Sequence, residues 1–193
     1  MTYPYAIGIP SLLAGTVTIS DTSASAAGVG TAFTSQTQVG DFLLVGVNSR
    51  QITQILDDLN LVVDTPYTTS ASSATAYDVP MMNLENDLGI PAPKSPFSPY
   101  STLVNLADGT VRGAGWRMTD WKWDFLTHVQ RDALRVFCPS ASNTVCMTTR
   151  TVDNNDEYQT YNAVIVWPQP PEDRFAGRRL NFAVHFQAMV PWQ

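Results

Sequence analysis

One stretch constrains the fold more than any other. Asp108-Gly109-Thr110-Val111-Arg112-Gly113-Ala114-Gly115-Trp116 is followed almost at once by Trp121-Lys122-Trp123-Asp124-Phe125-Leu126. Asp-Gly between apolar runs signals a hairpin, because a type I′ turn needs positive φ at both central residues. The pattern therefore predicts strands Ser101–Leu106 and Thr110–Met118 paired about Asp108-Gly109. Trp121 and Trp123, two residues apart, place both indoles on one face of a strand. Trp116 and Met118 have the other parity, so a bulge or break is expected near Thr119-Asp120.

Downstream, Asp124 reads as the N-cap of a helix over about 125–137. Leu126, Val129, Ala133, Leu134 and Phe137 form its apolar stripe, with Gln130, Arg131, Asp132 and Arg135 outward and Pro139 as the stop. Strands Val145–Thr151 and Tyr158–Trp167 follow, joined by a polar tip at Asp153–Glu157. After Pro168-Gln169-Pro170-Pro171 comes Leu180–Val190, in which Leu180, Phe182, Val184, Phe186, Ala188 and Val190 alternate with polar positions such as His185. Trp116, Trp121, Trp123 and Trp167 sit beside apolar neighbours, where core packing is the common fate, whereas Trp192 is free to be exposed or to dock.

The first 80 residues alternate short apolar runs with Gly, Ser and Thr. Strands are expected at Gly15–Ser20, Phe42–Val47, Arg50–Leu56, Leu59–Thr65 and Ala74–Val79, and a loop or irregular edge at Ser20–Gly30. Pro80, Pro91, Pro93, Pro96 and Pro99 make the next stretch extended. The fold class is mainly β. It comprises a small barrel or sandwich over 1–80, a Pro-rich connector over 81–99 and an antiparallel β-sandwich over 100–193 flanked by one α-helix. A long ordered loop packed on one module is the other reading of the connector.

Composition then limits function. Only 15% of the 193 residues are charged, well below the usual quarter. Such a surface resists association poorly, which suits one covered by partners, although many secreted β-proteins share the trait. The net charge of −6 lies wholly in the first half: residues 1–99 hold eight acids against Arg50 and Lys94, and the rest hold nine of each sign. No basic footprint for nucleic acid is present. No 18-residue apolar run offers a membrane span, and the first residues lack the basic region of a signal peptide. Cys138 and Cys146 are expected as two buried thiols.

Chemistry is sparse. His128 is four residues from both Asp124 and Asp132, a spacing that a capped surface helix produces as readily as an oriented base does. His185 reads as solvated or at an interface. The cysteines and histidines lack zinc spacing. The Asp153–Glu157 tip lacks the glycine and distal glutamate of a calcium loop. Gly28-Val29-Gly30 lacks the strand, helix and third glycine of a dinucleotide site. No catalytic, cofactor-binding or metal-binding residue is assigned, no cofactor is expected, and the chain is not expected to be an enzyme.

Gly15-Thr16-Val17-Thr18-Ile19, Gly28-Val29-Gly30-Thr31-Ala32-Phe33, Val39-Gly40-Asp41-Phe42-Leu43 and Asp64-Thr65-Pro66-Tyr67 resemble a small β-module of tailed-bacteriophage virion proteins, although here a Ser/Ala run precedes the glycine loop. The back half is similar to phage tail proteins of tail-tube type. It matches through Leu106-x-Asp108-Gly109-Thr110, Trp121-x-Trp123-x-Phe125-Leu126, Arg131-Asp132-Ala133-Leu134-Arg135 and Arg178-Arg179-Leu180-x-Phe182. The resemblance implies a tail-tube fold stacked as hexameric rings, in which the chain partners itself and other tail proteins. Genomic DNA would be only a passing cargo, and assembly would occur in the host cytoplasm for residence in the virion. Met1–Pro10, Pro80–Pro99 and Asp153–Glu157 are then candidate assembly segments, with the acidic first half facing solvent or the DNA channel. The alternatives are a distal-tail or baseplate, head–tail joining or capsid decoration protein. A different class of alternative is a host-glycan-binding module.

Overall fold

The computed structural model describes residues 4–152, 157–168, 174–175 and 178–193. Along the first part of the chain run β1 (Ala6–Gly8), β2 (Ser11–Leu12), β3 (Thr16–Ser20), β4 (Ser23–Val29), α1 (Phe33–Gln36), β5 (Phe42–Val45), β6 (Asn48–Ile55), β7 (Asn60–Val63), β8 (Ala71–Ala74) and β9 (Ala76–Val79). Then come β10 (Met82–Asn83), β11 (Phe97–Ser98), β12 (Thr102–Asn105), β13 (Val111–Ala114), β14 (Arg117–Thr127), α2 (His128–Arg135), β15 (Ser142–Val152), β16 (Glu157–Val166), β17 (Arg174–Phe175) and β18 (Arg178–Pro191). The fold is mainly β and antiparallel, and neither large sheet closes as a barrel. No helix among the described residues is long and apolar enough to cross a membrane.

Two compact units emerge: Gly8–Met81 with Trp192–Gln193, and Met1–Ile7 with Met82–Pro191. Ile7 of β1 pairs with Met82 of β10. The smaller unit is therefore an insertion between two paired residues of the larger one.

In the smaller unit eight strands follow the order β2-β9-β5-β6-β7-β4-β3-β8. Only Thr75 separates β8 from β9, yet they pair at opposite ends of that order, so the sheet rolls around its apolar side chains. Val17, Ile19, Leu43, Val45, Ile52, Leu61, Val63 and Tyr67 fill the interior, and each such burial stabilises by ~1.5–3 kcal/mol. Ser23–Val29, within the stretch expected as a loop or irregular edge, is an interior strand of this sheet, between β7 and β3. Its inward positions are Ala26 and Gly28, too small to register as an apolar pattern, and a Cβ on Gly28 would come within 2.0 Å of Thr31 Oγ1. The one-turn helix α1 was not foreseen and adds a second helix to the one expected. It delivers Phe33 to the core, and its first turn is held by Asp58, whose Oδ1 accepts from Thr34 N while its carbonyl accepts from Phe33 N. That cap comes from 24 residues away, beyond the reach of local capping rules.

The larger unit is built on one sheet, in the order β10-β1-β15-β16-β18-β14-β11, with β17 also on β18. Trp121 and Trp123 share its buried face, as their spacing requires. Trp121 lies 4.7 Å from the Phe186 ring and donates through Nε1 to Thr149 Oγ1. Trp123 lies 6.2 Å from Phe182 and donates to the Pro91 carbonyl, and Trp167 lies 5.4 Å from Phe182. Leu126, Leu134 and Phe137 are buried as expected.

Several expectations change here. The helix is His128–Arg135, and Thr127 rather than Asp124 caps it, in a reciprocal pair with Gln130. Residues 125–127 remain extended because β14 continues its ladder with β18 as far as Thr127↔Arg178. Asp124 instead bonds Lys94 Nζ at 2.6 Å. Val129 is 77% exposed, while Arg131 and Arg135, expected outward, stack over Trp167 at 5.3 and 4.7 Å. The break expected near Thr119-Asp120 is not in β14, where Met118 and Asp120 simply face away from Thr119, Trp121 and Trp123; the irregularity lies in the pairing with β18. The β14–β18 register slips between Arg117 and Thr119, and opposite it Ala188 has φ +53°, so Met189 takes the buried place expected of Ala188 and Val190 is half exposed. The proline-bearing stretch is held along β14: Leu84 and Ile90 are fully buried, Lys94 and Lys122 exchange backbone hydrogen bonds, and Thr119 Oγ1 donates to Pro96 O. Of the expected tip at Asp153–Glu157, residues 153–156 lie outside the described residues, and Glu157 opens β16.

Candidate assembly surface

Among the described residues, strands β12 and β13 pair only with each other, as a two-stranded sheet apart from the eight-stranded one of the larger unit. Asp108-Gly109 makes the turn, but not as type I′. Gly109 N donates to Leu106 O and Leu106 N to Thr110 O, with Gly109 at φ +83° and Asp108 absent from the positive-φ residues. This is a three-residue loop ending in a left-handed glycine, the G1-bulge geometry. Asp108 Oδ1 accepts from both Thr110 Oγ1 and Thr110 N, and these bonds hold its carboxyl below the ordinary value.

The foot of the hairpin is equally specified. A Cβ on Gly113 would lie 2.3 Å from the Tyr100 ring, so only glycine allows that ring to lie against the strand. Gly115, at φ +86°, turns the chain out of β13, and Ser101 Oγ accepts from Trp116 N. Trp116 itself, expected in the core, is 64% exposed because the break at Gly115 takes it off both strands.

Apolar side chains sit on both faces of this arm. Leu103 and Val111 share one face and Val104 the other, and all three are exposed, Leu103 by 69%. Thr102 and Arg112 lie on the Val104 face and Asn105 on the other. A two-stranded hairpin alone in water is marginal, and one that leaves Leu103, Val104 and Val111 in solvent gains little by standing free. The arrangement suits burial against another surface.

The polar groups elsewhere offer little chemistry. His128 Nε2 meets Asp132 Oδ2 at 3.1 Å on the exposed helix, an i,i+4 pair that excludes Asp124. His185 Nδ1 contacts Asp120 Oδ1 at 2.6 Å, and Lys122 Nζ contacts Asp120 Oδ2 at 3.0 Å. Burial works against ionisation of Asp120, but the His185 hydrogen bond and the Lys122 ammonium outweigh it and leave the carboxyl more acidic than usual. Cys138 and Cys146 are buried and unbridged, and burial pushes the Cys146 thiol up to about 12. Among the described residues no three metal-ligating side chains converge. A cleft of about 560 Å³ lies beside Tyr5, Pro93, Lys94, Arg150 and Tyr158, where Tyr5 Oη and Ser95 Oγ are 2.6 Å apart. Its Lys94 is already committed to Asp124.

No family model, curated protein or solved structure matches the chain.

Proposed function

We propose that this chain is a structural subunit of a tailed-phage virion, a tail-tube protein that assembles with copies of itself into stacked rings around the DNA path. The family reading rests on the sequence resemblance. The observation that carries the assembly reading is the arm at β12–β13, which exposes an apolar side chain on each face and, among the described residues, pairs with no strand of the eight-stranded sheet. Burying Leu103, Val104, Val111 and Trp116 against a neighbour removes apolar surface from water and gives the hairpin the third layer it lacks. Low surface charge favours the same outcome.

Electron microscopy of the purified full chain tests this directly. Rings or tubes are expected, and shortening the arm by replacing residues 103–113 with a tight turn should leave the particles monomeric. A wild-type chain that stays monomeric at high concentration overturns the reading. The exposed Trp116 also fits a sugar-stacking role. Binding on a glycan array that disappears with Trp116→Ala would favour that host-recognition reading instead.

A further inference from the structure

The sheet of the smaller unit carries two carboxyl groups that the assembly reading leaves unused. Asp78 of β9 lies directly across from Leu43 of β5 and Ser11 of β2. Opposed residues of an antiparallel pair point to the same face, so Asp78 shares the inward face with Leu43, and with Ala76 two residues earlier. Leu43 and Ala76 both belong to the core of this unit. Asp78 is only 6% exposed, and its Oδ1 has no hydrogen-bond partner. Asp41, two residues before Leu43, stands diagonally beside it, with its Oδ2 accepting from Gln38 N at 3.1 Å.

Among the described residues no cation balances this pair. On β9 itself Tyr77 points to the opposite face, and β2 supplies only Ser11 and Leu12. Arg50 of β6 lies in the same row beyond Leu43, but its guanidinium donates to the carbonyls of Pro66, Ser49 and Gln193 and lies 5.6 Å from the centre of the Tyr67 ring. A buried carboxylate with an unpaired oxygen and a like charge beside it keeps its proton instead. Burial first, and Asp41 second, push Asp78 up to about 7, and burial raises Asp41 as well, against its bond from Gln38.

We propose that Asp78, beside Asp41, is a proton-operated latch on the β2–β9 edge: protonated, the edge is closed; ionised, it loosens. The edge is where relief comes at least cost. Strand β2 is two residues long, Leu12 on it is 61% exposed, and the pairing extends only to the bond from Leu13 N to Ala76 O. Releasing it lets water reach Asp78 without dismantling β5 or β6. The folded carboxyl titrates above its unfolded value, so between about pH 4 and 7 the native unit holds a proton that the unfolded chain has lost. Stability of this unit therefore falls as pH rises through that window and levels off above it.

Hydrogen–deuterium exchange on the full chain, corrected for intrinsic rates, tests the latch. From pH 5.5 to 8.5 the protection of peptides covering residues 9–14 and 76–80 should fall by at least ~10-fold, while peptides from β16 keep theirs. Asp78→Asn, neutral at every pH, should abolish the fall, and Asp41→Asn should move its midpoint to lower pH. An unchanged fall in Asp78→Asn, or none in the wild type, overturns the proposal. If Asp78→Asn does not fold, an unmoved midpoint in Asp41→Asn overturns it equally.

Discussion

Two antiparallel strand pairs of the larger unit make opposite use of their apolar residues. β15 and β16 pair from Ser142↔Val166 to Val152↔Glu157 inside the eight-stranded sheet. Their Val145, Met147, Tyr161, Ala163 and Ile165 are buried, with Thr148 and Thr160 hydrogen-bonded on the other face. β12 and β13 have the same ladder chemistry, but among the described residues no third strand pairs with them, and Leu103, Val104 and Val111 stay exposed beside Asn105 and Arg112. Hydrogen bonding is alike in the two, so the difference lies in where the apolar area goes. The first pair buries its apolar residues within one chain, and the second leaves Leu103, Val104 and Val111 exposed.

The largest test of that contrast is truncation. Ile165→Ala removes fully buried methyls from the sheet and should cost about 2–5 kcal/mol in chemical denaturation of the full chain. A loss below about 1 kcal/mol would mean that β16 is not the anchored member of the comparison.

Thiol chemistry sharpens the contrast next. Cys146 on β15 is fully buried, with its Sγ against Asn162 Oδ1 at 3.1 Å, and its raised titration leaves little thiolate at neutral pH. A cysteine placed by Leu103→Cys is on the open arm. In dilute monomer at pH 8 its labelling by a disulfide reagent should outpace that of Cys138 and Cys146 by at least ~100-fold. Labelling of the arm should slow as particles form, and equal rates before and after assembly would remove the arm from the interface.

A smaller effect belongs to the charged face beside the core. Asp120 is more acidic folded than unfolded, so the native state binds fewer protons between those two values. Its stabilisation is complete above the unfolded carboxyl range and disappears as pH falls through the folded value. At partial exposure this contributes roughly a few tenths of a kcal/mol to about 1 kcal/mol. Asp120→Asn should therefore flatten the acid limb of the stability profile, and an unaltered limb would assign that slope to other carboxyls.

How legible this was depended on the distance between cause and consequence. The Trp121/Trp123 pairing and the alternation of Phe182, Val184 and Phe186 are local two-residue signals, and the structure realises both. The helix was visible as periodicity, but its start was not. A ladder to β18, some fifty residues on, keeps 125–127 extended, and the Thr127–Gln130 cap lies inside the stretch already read as helix. Ser23–Val29 escaped because alanine and glycine fill a tightly rolled interior without raising hydropathy. Trp116 looked like core because a tryptophan beside strands is usually buried, whereas the Gly115 break places it outside. The two carboxyls of Asp41 and Asp78 carry no sequence signature at all, since only the pairing of β5 with β9 brings them together.

The smallest change in stability is expected where the comparison is most exposed to failure. Leu103 is 69% exposed and Val111 is 59% exposed, so Leu103→Ser and Val111→Ser remove almost no buried area from the isolated chain. Each should shift monomer stability by no more than about 0.5 kcal/mol, within the range of ordinary surface substitutions. Both residues lie on one face of the arm, with Asn105 paired to Val111 and Leu103 to Gly113, so the double variant makes that face wholly polar while keeping the ladder. Sedimentation at matched concentrations should then show the double variant as monomer where the wild type forms particles. If it assembles normally while Val104→Ser does not, the docking face is the opposite one. If neither matters, the arm is an ornament and the contrast between the two strand pairs loses its meaning.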